Sequence, residues 1–323
     1  MNKLLSCKDI LKKEIVGNKA YNLGLLKSKG YNVPDFFVLP ISEKFNEKII
    51  EKIPYEYLSV RSGGIHSFPG LMSSYLNIKK KDSFKYANKV VESSKSKILN
   101  EISNYLNKDC STAVIFQEMI SLESIKGSGI ISSHHPITGK KEVYLSYIED
   151  KYCSEVVISG GTDLIEETDF NKLKKIINEL DDIFKKPQEV EFSILKNNEI
   201  IILQSRDLIF SSIKQKSKDK ILNENLKIIG RGLGSSSGII KGKVSFVDNT
   251  NDSIYCLKEL NPSEISELLN SKAILSKKGD HNCHLAVLCR LLNKPYIVGS
   301  DLSEKISKGQ EIILDTDEGI IYL

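Results

Sequence analysis

Residues 211–228 (SSIKQKSKDKILNENLKI) are rich in Lys and Ser, hold few large apolar residues, and show no regular apolar stripe. Such a stretch has too little apolar surface to join a packed core, so the chain is expected to fold as two bodies on either side of it. A linker and a solvated helix fit the stretch equally well; fully extended it would reach about 60 Å. The expected domains are therefore residues 1–210 and 229–323, consistent with a length that suggests about two domains of roughly 150 residues each.

Both flanking regions mix helical and strand patterns, which predicts an α/β (α+β) fold. The strongest helix is predicted over Phe170–Phe184, where Leu173, Ile176, Ile177, Leu180 and Ile183 recur at helical spacing ahead of Pro187. After it, EVEFSI and EIIILQSRD read as a hairpin through Asn197–Asn198, carrying Glu189, Glu191, Gln204 and Arg206. The last 95 residues open with Gly230, Gly232, Gly234 and Gly238 and run through KGKVSFV, AILSKKG, a helix near His284–Leu292 and KPYIVG to a closing hairpin, EIILD to GIIYL.

Composition narrows the function classes. With 40% apolar and 27% charged residues the chain is globular rather than disordered. Its 46 basic and 42 acidic residues are interspersed, with no basic block to serve as a nucleic-acid footprint. No apolar run nears the roughly 18 residues of a membrane span, and charges interrupt the amino terminus where a signal peptide would be apolar. A cytoplasmic protein with neither nucleic-acid nor membrane partners is expected. The six cysteines form no CxxC pair and read as free thiols, not as a zinc site or a disulfide framework.

The arginines are more telling. Only Arg61, Arg206, Arg231 and Arg290 stand against 42 lysines. A chain that uses Lys for nearly every generic positive charge is expected to keep Arg where a rigid planar fork must hold phosphate or carboxylate.

In GDHNCHLAVLCRLLNKPYIVG a polar loop feeds an apolar helix starting at or just before His284. The helix N-terminus favours an anion, would stabilise a phosphate on the imidazole, and disfavours the imidazolium, keeping the ring nucleophilic. Taken alone, a His at a helix start is more often structural. Asn282 or Cys283 is expected to help cap this helix.

These residues resemble the phosphohistidine domain of the pyruvate phosphate dikinase and phosphoenolpyruvate synthase family, whose pattern is GGxTSHAAVxAR…GxPxVVG. The resemblance puts His284 at the phosphorylated His and Arg290 at the motif Arg. GRGLGSSSGIIKGKV, which contains Arg231, is similar to that domain's entry motif, and GQEIILDTDEGIIYL to its closing hairpin. Asp280, His281, Asn282 and Cys283 stand where the family has Gly, an apolar residue, Thr and Ser.

The amino-terminal half resembles the same family's ATP-grasp domain. VGNKAYNLGLL is similar to its VGGKGANL opening, with Lys19 at the Lys that neutralises ATP phosphates. LSVRSGGIHSFPGLMSSYLNI resembles VRSGA…PGMMDTxLN and implies that Arg61 forks onto phosphate oxygens while Gly63, Gly64 and Gly70 let the backbone come close. VIFQEMI resembles the segment joining the two lobes beside the adenine, with Gln117 and Glu118 in it. In GSGIISSHHPITG, His134 and His135 replace the family's Arg and Asn; two adjacent His in a strand would face opposite ways, which argues against joint metal chelation. QEVEFSI…EIIILQSRD resembles DIEWAI…LYILQTRP and implies Glu191 as a Mg²⁺ ligand, Gln204 near metal or phosphates, and Arg206 as a charge clamp.

The resemblance thus implies a two-lobed ATP-grasp domain followed by a small swivelling β/β/α phosphohistidine domain. The function it implies is an ATP- and Mg²⁺-dependent phosphotransferase passing a phosphoryl or pyrophosphoryl group to His284. Lys19, Arg61, Gly63, Gly64, Gln117, Glu118, Gln204 and Arg206 would bind the nucleotide; His284, Arg61, Arg206 and Arg290 would carry the chemistry. No stretch is left for the family's pyruvate-binding barrel, so the acceptor is expected to be pyruvate on a separate subunit or another small molecule. The alternative is a catalytically silent ATP-binding regulatory protein descended from the same family.

Overall fold

The computed structural model describes residues 4–41, 46–66, 68, 71–210, 226–247, 250–257, 265–300 and 306–323. Gly70 and residues 211–225 of the expected linker lie outside the described residues. The fold is mixed α/β and divides into two compact units, each discontinuous in sequence. One holds residues 1–128, 149–152 and 189–206, the other residues 129–148, 153–188 and 207–323.

In chain order the first elements are β1 (Leu5–Ser6), α1 (Lys13–Ser28), β2 (Phe36–Leu39), β3 (Tyr57–Gly64), β4 (Ser74–Lys79), α2 (Ser83–Ser93), α3 (Lys97–Leu106) and β5 (Thr112–Glu118). Their strands form one sheet in the order β1-β2-β5-β3-β4. Register settles which residues face the core. Val60 pairs with Phe116 and Ser62 with Val114, while Ser59 pairs with Gln117, Arg61 with Ile115 and Gly63 with Ala113. Opposed residues share a face and successive residues alternate. Leu58, Val60, Val114 and Phe116 accordingly pack with Leu39, Ile78, Ala87 and Val90 in one apolar core. Arg61 and Gln117 are left together on the other face.

Next come β6 (Ile125–Ser132), β7 (Tyr144–Glu149), α4 (Cys153–Ser159), α5 (Glu167–Phe184), β8 (Gln188–Leu195) and β9 (Ile200–Asp207), with a four-stranded sheet in the order β7-β6-β8-β9. α5 starts three residues before its sequence pattern does, because Glu167 and Asp169 in its first turn complement the helix dipole. β8 and β9 form the expected hairpin, and Asn198 takes the left-handed turn position at φ 64°, a conformation Asn tolerates. His134 and His135 lie beyond β6 in a turn rather than in a strand. His135 Nδ1 accepts the amides of Ile137 and Thr138 at 3.2 and 3.3 Å, which curls the chain there instead of extending it.

The last elements are β10 (Ile228–Arg231), β11 (Leu233–Ser236), β12 (Ile239–Ser245), β13 (Ser253–Leu257), α6 (Ile265–Asn270), β14 (Ala273–Ser276), α7 (His284–Leu291), β15 (Tyr296–Val298), β16 (Glu311–Asp315) and β17 (Ile320–Tyr322). They build an eight-stranded sheet in the order β10-β17-β16-β12-β13-β14-β15-β11. β12 to β15 run parallel and β16–β17 is the expected closing hairpin. Val244, Ile254, Leu275, Ile297, Leu314 and Ile321 form its core.

Candidate nucleotide site and the histidine-bearing helix

In the first unit, the sequence around Lys19 is shaped by one glycine. Gly17 breaks α1 with φ 74° and ψ 167°. A Cβ placed there would stand 2.1 Å from the Gly63 carbonyl oxygen and 2.9 Å from that of Gly64. Only glycine permits both the backbone angle and the approach. The close neighbour of Gly63 is therefore the turn of α1, and Gly63 and Gly64 belong to β3 rather than to a loop. Three residues after Lys19, on the same helix face, the Asn22 side-chain amide donates to the Ser205 carbonyl at 2.9 Å. That bond anchors α1 beside Gln204 and Arg206.

Arg61 is the hub. Its Nη2 donates to Glu191 Oε2 at 2.7 Å and to Gln204 Oε1 at 3.2 Å, and its Nη1 to Gln117 Oε1 at 3.3 Å and to the Leu203 carbonyl at 3.1 Å. Arg206 forks onto Glu189, with Nε 2.7 Å from Oε1 and Nη2 bonded to the same oxygen. Three cations, Lys19, Arg61 and Arg206, thus stand among two carboxylates, Glu189 and Glu191. Burial and the Arg61 guanidinium, with a further push from Arg206, lower the Lys19 ammonium to about 7 against the opposing pull of Glu191. For Glu191 burial acts upward, but Arg61, Lys19 and Arg206 outweigh it and hold the carboxyl below its ordinary value. Arg61 Nε and the Gln117 amide nitrogen are buried donors with no hydrogen-bond partner among the described residues.

Lys19, Arg61, Gln117, Glu191, Gln204 and Arg206 are thus drawn into one neighbourhood, although Arg61 and Glu191 are 130 residues apart. Glu118 does not join them. One step along β5 puts it on the Leu58 face, where it is exposed and its amide pairs with the Asp35 carbonyl at 2.8 Å. Glu189 and Asn22 are the members that sequence reasoning left without a role. The Glu-x-Glu alternation on β8, which puts Glu189 and Glu191 on the same strand face, was the available signal.

Glu191 Oε2 and Gln204 Oε1 converge on the same Arg61 nitrogen. A carboxylate and an amide oxygen so close together are hard donors of the kind Mg²⁺ takes when waters and phosphates complete its shell, so the pair fits that ion. Among the described residues no group of three or more His, Cys, Asp or Glu is arranged to hold a metal.

The second unit carries His284 as the first residue of α7. Neither Asn282 nor Cys283 caps the helix with its side chain as expected; Cys283 holds the cap position without a side-chain bond. Asp280 instead shapes the loop ahead of the helix, its Oδ1 accepting the amides of Asn282 at 2.8 Å and Cys283 at 2.9 Å. A carboxylate reaching forward two and three residues closes an Asx-type turn that leads the chain into α7. Arg290, 2% exposed, donates from Nε to the Ile209 carbonyl at 2.8 Å and from Nη1 to the His281 carbonyl at 2.7 Å. His281 is also buried; burial first, then His135 and Arg290, hold its ring at about 3, so it is neutral near pH 7. Arg231 is exposed on β10. All six cysteines are free thiols, and no helix among the described residues is long and apolar enough to cross a membrane.

Residues 38–160 match the family model described as pyruvate phosphate dikinase, AMP/ATP-binding domain, and residues 249–319 match that of the PEP-utilising enzyme, mobile domain. Arg61 and Gln117 fall in the first match, His284 and Arg290 in the second. The chain is 25% identical over 335 residues to a probable phosphoenolpyruvate synthase of Archaeoglobus fulgidus, covering 82% of this chain and 43% of that protein. It is 23% identical over 284 residues to a pyruvate, phosphate dikinase of Rickettsia typhi, covering 68% and 32%. It therefore spans less than half the length of either. Among solved structures, a D-alanine-D-alanine ligase from Coxiella burnetii is similar with a TM-score of 0.36 at 13% identity, over 57% of this chain and 45% of that one. With both domain models matched one after the other along the sequence, the chain belongs to the pyruvate phosphate dikinase and phosphoenolpyruvate synthase family.

Proposed function

We propose that this chain is the phosphoryl-donor part of an ATP-dependent phosphotransferase. ATP phosphates bind at Lys19, Arg61 and Arg206, and a phosphoryl or pyrophosphoryl group passes to His284. The observation that carries this reading is the first unit's buried cluster. It gathers three cations, and two of its donors, Arg61 Nε and the Gln117 amide nitrogen, have no acceptor among the described residues. Buried donors without partners are costly, and phosphate oxygens are the acceptors that three cations would bring.

Glu191 and Gln204 would hold Mg²⁺, which supplies charge neutralisation on the phosphates. The chain's own groups align and neutralise: Arg61, freed in part from Glu191, forks onto phosphate oxygens, and Lys19 adds a point charge. His284 attacks through a neutral imidazole nitrogen, forming a nitrogen–phosphorus bond as a phosphorus–oxygen bond of ATP breaks; the ring loses its proton to solvent. Attack at the β phosphorus releases AMP, and attack at the γ phosphorus releases ADP. The acceptor is then pyruvate on a separate subunit or another small molecule.

The test is incubation of the chain and its His284→Ala variant with Mg²⁺ and ATP labelled at the β or γ phosphate. Acid-labile label that needs His284 is expected. β-label with AMP marks pyrophosphoryl transfer, and γ-label alone with ADP marks simple kinase chemistry. ATP binding without label in either case refutes the donor reading and leaves a silent nucleotide-binding protein.

A further inference from the structure

Within the second unit, the two segments that depart from the family pattern meet. His135 lies against His281 with ring centroids 5.5 Å apart, and Tyr144 covers the same ring at 5.2 Å. On the other side of His281, Nδ1 lies 2.7 Å from Ser235 Oγ. Asp280, 8% exposed, is more tightly held still. While its Oδ1 takes the Asn282 and Cys283 amides just ahead of α7, its Oδ2 accepts the Ser146 hydroxyl of β7 and the Gly161 amide at 3.2 Å. Asn282 completes the set by donating from Nδ2 to Ser146 Oγ at 3.0 Å. Gly160 leaves the room this needs, since a Cβ there would stand 2.9 Å from Asp280 Cγ and 3.0 Å from its Cβ.

We propose that Asp280 is a positioning residue for His284, fastening the residues just ahead of α7 to β7 and to the turn that follows α4 so that the imidazole is presented in one orientation. This rests on the reading that His284 accepts the phosphoryl group. A carboxylate with four donors, two of them in the residues that lead directly into the helix carrying the nucleophile, fixes the angle at which the chain enters that helix. Loss of such a tether loosens the nucleophile without removing it. Misplacement by about 1 Å costs about 100-fold in rate.

The experiment uses phosphoramidate, a small phosphoryl donor that bypasses the ATP site. The imidazole nitrogen–phosphorus bond forms as the phosphorus–nitrogen bond of the reagent breaks, and ammonia leaves with the proton. Label at residue 284 is followed by mass spectrometry in the full chain, with His284→Ala as the site control. Asp280→Ala is expected to lower the maximal labelling rate by about 10- to 100-fold while leaving the half-saturating phosphoramidate concentration unchanged. Asp280→Asn keeps an oxygen for the Asn282 and Cys283 amides and is expected to recover part of the rate. Ser146→Ala removes one donor and decides the matter if Asp280→Ala does not fold: a slower rate supports the tether, and a wild-type rate overturns it. Equal labelling of wild type and a folded Asp280→Ala overturns the positioning role alone. Absence of label at His284 in the wild type overturns the role together with the reading on which it rests.

Discussion

If nucleotide phosphates bind where Lys19 sits, binding must take up a proton. Free Lys19 titrates at about 7 because burial and two guanidinium groups oppose its charge, whereas a phosphate anion beside it demands the ammonium form. With a charged Lys19 required in the complex, apparent affinity falls by 1 + 10^(pH − 7), about 1.1-fold at pH 6 and about 11-fold at pH 8. That difference is roughly 1.4 kcal/mol. At pH 8, calorimetry in two buffers of different ionisation enthalpy should report about 0.9 proton taken up per ATP. Lys19→Arg, always charged, removes this uptake and flattens the profile, and comparison with it subtracts the nucleotide's own titration. Identical proton uptake in wild type and Lys19→Arg would refute the reasoning. The same shift has a sign for stability. The folded value lies below the ordinary 10.5, so the unfolded chain binds more protons in between, and the unliganded protein should gain stability as pH rises from about 7 toward 10.

Arg61→Met should cost about 3–5 kcal/mol in urea unfolding, because Glu191 is left buried without its partner. Adding Glu191→Gln should recover at least about 1 kcal/mol of that, and strictly additive losses would argue against the ion pair. Gly17→Ala should destabilise by at least about 2 kcal/mol, from left-handed backbone strain and the contact with the Gly63 carbonyl; an unchanged unfolding midpoint would contradict the kink. Ile297→Ala, in the core of the eight-stranded sheet, should cost about 2–5 kcal/mol, and a loss below 1 kcal/mol would show a loosely packed core.

Short-range signals were legible. The apolar spacing of Phe170–Phe184 marked α5, and the flanking Pro187 its end. The paired β runs around Asn197–Asn198 marked the hairpin of Glu191, Gln204 and Arg206, since Asn takes the left-handed turn whatever surrounds it. The start of α7 at His284 was legible too, but the turn that leads into it was not. An Asx-type turn at Asp280 looks the same in sequence as any loop aspartate, and the partners of its second oxygen, Ser146 and Gly161, lie more than a hundred residues away. Gly63 and Gly64 lie within β3, paired with Ala113 and Thr112 of β5, and only the tertiary structure brings the Gly63 carbonyl against the turn at Gly17.

What the sequence by itself determined is therefore chemical inventory and local conformation. Its four arginines among 42 lysines and its motif order depend only on residue identity, and its helix and hairpin periods depend on neighbours a few positions away. Tertiary structure decided which charges face which. Arg61 meets Glu191 across 130 residues and Ser146 meets Asp280 across 134. Glu118 is turned away by a single step along β5. Such pairings are set by strand register and by the close approach of distant backbones. These are fixed by burying each sheet's apolar face, and no spacing along the chain records them.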